Sequence, residues 1–126
     1  MAPPGPCILV HGGAGPWRAL PDRLAEALEA RAVAAEAAQS LLLAGGSALD
    51  AVEAALRVLE DCPALDAGRG SYPNRDGTIQ MDALIMDGAG LDLGAVAAVG
   101  GLRHPVSLAR AVMEQSPHCL LVGPGA

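Results

Sequence analysis

The chain has 126 residues and 52% hydrophobic content, enough for one ordinary domain with a sizeable core. Its formal net charge of −6 and pI near 4.8 exclude the basic footprint of a nucleic-acid binder, and the 8 basic residues, all arginine, are scattered from Arg18 to Arg110 with no stripe. No run approaches the length of a membrane span.

Aromatics are only 2% and Phe is absent, so the core is filled by Ala, Val, Leu and Met, which suits closely packed layers. The cysteines, Cys7, Cys62 and Cys119, are odd in number and far apart, which fits a reduced protein better than a disulfide scaffold. The opening "MAPPGPC" has neither a basic n-region nor an apolar h-region, so a cytoplasmic location is expected.

In chain order, Cys7 to Val10 reads as a short buried strand that runs into the glycine-rich "HGGAG" of His11 to Gly15. Glycines at a strand tip allow close backbone approach, which serves a turn or a reaction centre equally well. An alanine-rich helix follows from about Pro21 to Ala44, stopped by Gly45-Gly46. Ala25, Leu28, Ala32 and Ala35 are its expected buried face. A second helix starts at Ser47, with Asp50 placed for a weak capping box and Leu49, Val52, Leu56 and Leu59 as its stripe.

"EDCPALDAGRGSYPN" reads as a structured loop. Next, "SYPNRDGTIQMDALIMDG" predicts a hairpin turning at Asp76-Gly77, with Ile79, Met81, Ala83 and Ile85 alternating. Gly94 to Leu102 predicts a small-residue strand, "HPVSLARAVMEQSP" a third helix from Pro105 to before Pro117, and "HCLLVG" a last strand. The order is that of a mixed α/β (α+β) chain whose sheet needs further strands to cover its edges.

Familiar chemistries fail on these residues. No serine stands in G-x-S-x-G, and a phosphate loop cannot be built without lysine. His11, His104 and His118 lack zinc-type spacing with the cysteines. Asp82 and Asp87 fall on opposite faces of a regular strand, and Asp87-Gly88 reads as a turn. Thr78 begins the strand returning from the Asp76-Gly77 turn, where cleavage to free its amine would cut the hairpin.

Six ordered phrases carry a more specific signal: "HGGAG", "GGSALDAVEAAL", "CPALDAGRGS", "MDALIMDG", "GAVAAV" and "HPVSLARAVMEQSPH". Together they resemble the amino-terminal half of the plant-type asparaginases, or isoaspartyl peptidases, of the N-terminal nucleophile (Ntn) hydrolases. The resemblance implies a four-layer αββα sandwich in which residues 1–126 are one domain portion, the α subunit, completed by a separate β chain in an (αβ)₂ assembly. It also implies autocatalytic cleavage of a precursor, and a nucleophilic threonine at the start of the β chain whose own amine is the general base. L-asparagine and β-aspartyl dipeptides are the implied substrates. The chain alone is then expected to be inactive, with no organic cofactor.

By the same resemblance Gly12 and Gly13 form the glycine loop against the nucleophile, and His11 is structural. Asp66 stands near the nucleophile where the family commonly has Asn, adding negative charge and removing an amide donor. A structural sodium ion is implied at main-chain carbonyls of Leu59, Glu60, Cys62, Leu65, Ala67 and Arg69, with Cys62 a small buried residue and not a thiol ligand. Two alternatives stay open: a glycosylasparaginase α subunit, and a non-catalytic truncated binding domain.

Overall fold

The computed structural model describes residues 5–126; the amino-terminal reading of residues 1–4 lies outside the described residues. Three helices and one three-stranded sheet make a small α+β domain. A 3-10 turn at Trp17–Ala19 leads into α1 (Pro21–Leu43), which ends as the glycine pair predicts. Gly45 takes φ +85° and donates to the Leu42 carbonyl, while Gly46 donates to the Leu41 carbonyl, the pairing of a Schellman stop.

α2 (Ala48–Asp61) begins with a complete capping box, stronger than the weak one expected. The Asp50 N–H donates to Ser47 Oγ at 3.1 Å and the Ser47 N–H donates to the Asp50 carboxylate at 3.4 Å. On one side α2 buries Ala51, Ala55 and Leu59 against Ala27, Ala34 and Ala38 of α1. On its other side Leu49, Val52 and Leu56 pack toward the sheet. The buried face of α1 is therefore not the Ala25, Leu28, Ala32 and Ala35 row: Leu28 is 47% exposed. Alanine surrounds this helix, so its apolar period carries no phase, and the flush Ala-on-Ala contact with α2 selects the face.

The sheet is built from β1 (Met81–Asp87), β2 (Asp92–Val99) and β3 (Leu120–Val122), in that spatial order. β1 and β2 are antiparallel, and β3 returns parallel to β2 after α3 (Pro105–Gln115). The hairpin thus lies one turn later than predicted, joined at residues 88–91, where Asp87 accepts the Ala89 N–H as a turn residue. Around Asp76-Gly77 there is a turn, organised by Asn74 Oδ1, which accepts the Asp76 and Thr78 N–H groups. Its arms form no ladder, and Ile79 is 40% exposed.

Cys7 to Val10 is a further correction: it is not a strand. Ile8 and Val10 lie over the α1–α2 cluster, and the intervening Leu9 is 92% exposed. Its sequence is the apolar run of a buried strand, but no described strand offers it a ladder, so it does not become part of a sheet.

One face of the sheet is closed. Met81, Ile85, Val96 and Val99 pack with Val106, Ala109 and Val112 of α3. Val96 and Val99 are three residues apart, a spacing that an unbroken strand would send to opposite faces. A bulge reconciles them: Met81 pairs with Val99 and Ala83 with Val96, Ala98 takes φ +53°, and Asp82 Oδ1 accepts its N–H at 2.8 Å. The other face is open, with the cross-strand row Leu84, Ala95 and Leu120 flanked by Met86 and Val122. Leu84, Met86, Leu120 and Val122 are each at least half exposed.

Gly94 sets the distance between sheet and helix. A Cβ there would stand 2.1 Å from the Ala109 carbonyl oxygen and 2.6 Å from Met113 Cβ. Gly94→Ala is expected to push α3 off β2 and to destabilise the fold by ~1–3 kcal/mol, read from the denaturant midpoint; an unchanged midpoint would show that α3 tolerates displacement.

Candidate active-site cavity

The glycine segment and the loop after α2, far apart in sequence, face one cavity of about 330 Å³. Gly12, Gly13 and Gly15 line it together with Leu65 and Asp66, and Arg23 and Tyr72 complete the described wall. Gly13 adopts φ +82° and its N–H points to His11 Nδ1 at 3.4 Å, so the backbone turns sharply just where side chains are missing. Of the predicted site residues, Gly12, Gly13, Leu65 and Asp66 are therefore brought together. Asp66 is exposed at the cavity, and its Oδ1 accepts the Tyr72 N–H at 3.1 Å, which pins the start of the following segment.

The loop holding Asp66 is folded tightly on the end of α2. The Arg69 N–H donates to the Glu60 carbonyl at 2.7 Å, the Cys62 N–H to that of Leu59, and the Leu65 N–H to that of Cys62. Gly68 and Gly70 are required by this closure. A Cβ on Gly68 would lie 2.5 Å from the Glu60 oxygen, and one on Gly70 would lie 2.1 Å from the Leu65 oxygen and 2.5 Å from that of Pro63. Main-chain oxygens of Glu60, Pro63 and Leu65 thus stand close against these two glycines. No cluster of three His, Cys, Asp or Glu side chains suited to a metal exists among the described residues.

Glu60 carries more than its carbonyl. Its side chain is buried at 4% exposure, where Oε1 accepts the Val106 N–H at 2.9 Å and Oε2 faces His104 Nδ1 at 3.2 Å. His104 and Pro105 offer no side-chain cap to α3, so a carboxylate from another helix supplies it. Burial pushes the Glu60 carboxyl up to about 7, with the neighbouring Asp61 charge adding to the rise and the Val106 hydrogen bond opposing it. Burial holds His104 below its ordinary value. Asp61 is held low by its hydrogen bond from Arg103 at 2.6 Å. Nearby, Arg110 of α3 reaches Asp50 and Glu53 of α2 at 2.7 and 2.8 Å, latching the two helices together.

The remaining candidates lie apart from the cavity. Thr78 is exposed in its turn, Asp82 and Asp87 are each engaged with backbone, and His118 is exposed at the junction of α3 and β3. All three cysteines are free, and Cys62 is buried as a small apolar residue. The participation of Arg23 and Tyr72 was not foreseen: Arg23 sits in the first turn of a helix, and nothing in its spacing ties it to Tyr72.

A family model described as asparaginase matches residues 4–126. The chain belongs to the asparaginase family. It is 51% identical over 119 residues to the isoaspartyl peptidase/L-asparaginase of Rattus norvegicus, covering 94% of this chain and 35% of the relative. It is 50% identical to the isoaspartyl peptidase of Salmonella typhimurium and to the plant-type L-asparaginase of Pyrococcus abyssi, covering 39% and 38% of those proteins. This asparaginase-family chain thus spans between a third and two-fifths of the length of those curated relatives and corresponds to their amino-terminal portion. No helix among the described residues is long and apolar enough to cross a membrane.

The buried Glu60 gives the asparaginase-family fold a pH signature. Its carboxyl titrates near 7 when folded and near 4.5 when unfolded, so its contribution is complete below pH 4.5 and is lost as pH rises through 7. The neutral His104 works in the opposite sense, losing stability as pH falls below about 6.5. Glu60→Gln is expected to remove a decline on the order of 3 kcal/mol between pH 4.5 and 8, read as the wild-type minus variant difference in unfolding free energy. A difference independent of pH would mean that Glu60 stays ionised throughout.

Proposed function

We propose that this chain is the α-subunit portion of an amidohydrolase that converts L-asparagine to L-aspartate and ammonia and cleaves β-aspartyl dipeptides. The observation that carries this reading is the identity of about half over nearly the whole chain to proteins named isoaspartyl peptidase and L-asparaginase. In the proposed reaction the hydroxyl of an amino-terminal threonine on a β chain attacks the side-chain amide carbonyl while its own α-amine takes the proton. The amine or ammonia leaves with that proton, and water hydrolyses the resulting β-aspartyl ester. The segment around Gly12 and Gly13 contributes backbone that orients the threonine, and Asp66 lies beside it.

Two features support a β-chain partner and the four-layer sandwich. The glycine cavity is bounded by protein on only part of its perimeter, and the open sheet face presents Leu84, Met86, Leu120 and Val122 to solvent. A second sheet laid on that face would bury them at about 25 cal/mol per Å² of apolar area. Assembly into (αβ)₂ is part of the same proposal. The direct test is denaturing mass spectrometry of the full-length protein followed by assay. Two fragments, the second beginning with threonine, and release of aspartate from L-asparagine or a β-aspartyl dipeptide are expected. An intact chain without activity on either substrate would overturn the reading.

From the family resemblance we also propose a structural sodium ion at main-chain carbonyls of Leu59, Glu60, Cys62, Leu65, Ala67 and Arg69. Such an ion would hold the loop, and with it Asp66, in place, taking no part in bond breaking. Exchanging sodium for a bulky organic cation at equal ionic strength is expected to lower the melting temperature by several degrees, as for loss of a ligand bound only to the folded state. Equal melting curves would remove the ion from the proposal.

A further inference from the structure

The chain has one tryptophan, one tyrosine and no phenylalanine, and neither ring is among the fully buried core residues. Both line the glycine cavity instead. Trp17 is half-buried and held in place by its surroundings. Its N–H donates to the Gly15 carbonyl at 2.8 Å, its carbonyl accepts the Leu20 N–H at 3.1 Å, and a Cβ on Gly15 would stand 3.3 Å from the indole Cε2. The indole therefore lies against bare backbone, which Gly15 leaves open for it. A large apolar ring fixed in this way loses little freedom when a ligand is laid on it.

Trp17 also belongs to a second, shallower depression. An open groove lined by Gly15 to Ala19 adjoins the glycine cavity, and Gly15, Pro16 and Trp17 line both. The groove contains no carboxylate, and Arg18 and Ala19 in its lining are exposed. The two proposed substrates differ in what leaves them. L-asparagine releases ammonia, which needs no room beyond the cavity, whereas a β-aspartyl dipeptide releases a whole amino acid that must extend past the cavity. Along Trp17 the groove supplies that room, and a fixed indole favours an apolar or aromatic side chain laid against it.

We propose that Trp17, in the groove it shares with Ala19, forms the subsite for the side chain of the leaving residue of a β-aspartyl dipeptide and selects apolar and aromatic residues there. This rests on the amidohydrolase reading above and adds a specificity-determining residue on this chain. It concerns that side chain alone, not the charged groups of the substrate.

The test is steady-state kinetics of the full-length, processed protein with β-aspartyl-glycine and β-aspartyl-phenylalanine, read as the ratio of their kcat/KM values. The wild type is expected to favour the phenylalanine dipeptide about tenfold, mainly through KM. Trp17→Ala is expected to bring the ratio close to one, and Trp17→Phe to keep part of it. A substitution that merely loosens the fold lowers both substrates in proportion, so the ratio separates recognition from structure. Should Trp17→Ala fail to fold, Ala19→Asp decides in its place. That site is exposed, and a hydrated carboxylate in the groove is expected to lower the same ratio severalfold. A wild-type ratio near one, or a ratio that survives the deciding variant, would overturn the proposal. Should the wild type cleave neither dipeptide, the peptidase part of the functional reading fails separately, and calorimetric titration with β-aspartyl-phenylalanine decides this one. Binding weakened about tenfold by the deciding variant supports the subsite, and equal or absent binding in both proteins overturns it.

Discussion

The fold turns on one buried carboxylate. Glu60 lies in the last turn of α2 inside the protein, where an unpartnered charge would be costly, as would an uncapped start of α3, and its contact with α3 answers both needs at once. Its side chain caps Val106 while its carbonyl receives the Arg69 N–H, so a single residue joins the start of α3 to the closed loop beside the cavity. Gly68 lies against it because a side chain there would collide with its backbone. Displacing Glu60 would therefore disturb the sheet's helix and the cavity's loop together.

Around this joint, α2 is the shared wall of two apolar clusters, with Leu56 packed against both. The α1 side is a contact of alanines, and the sheet side is a contact of β-branched residues and Gly94 with α3. Small residues bring the layers close, which leaves little room for adjustment. The consequence is directional: the sheet is sealed on its helix side and bare on the other. The cavity is likewise only partly enclosed by this chain, with Gly12, Gly13 and Gly15 in its lining. Both features are compatible with the proposed reading, in which a partner chain brings the nucleophile.

Much of this was legible residue by residue. The capping serine, the glycine stop of α1, the third helix between Pro105 and Pro117, and the turn at Asp87-Gly88 follow from local chemistry that no tertiary contact overrules. The ordered phrases also carried the family. Gly12, Gly13 and Asp66 could be paired only through that likeness, because nothing local links residues so far apart.

Partners that are remote in sequence decided the rest. Cys7 to Val10 has the composition of a strand but no neighbour to pair with; α1 could have turned any of several alanine faces inward. The offset of Val96 and Val99 needed a bulge that their spacing alone does not announce. The side-chain role of Glu60 and the meeting of Arg23 with Tyr72 were invisible for the same reason. The sequence by itself determined which backbone conformations were permitted and to which family the chain belongs. Which faces are buried, which carboxylate is desolvated and which guanidinium groups find a counter-charge were decided by tertiary packing, because burial and pairing depend on what arrives from elsewhere in the chain.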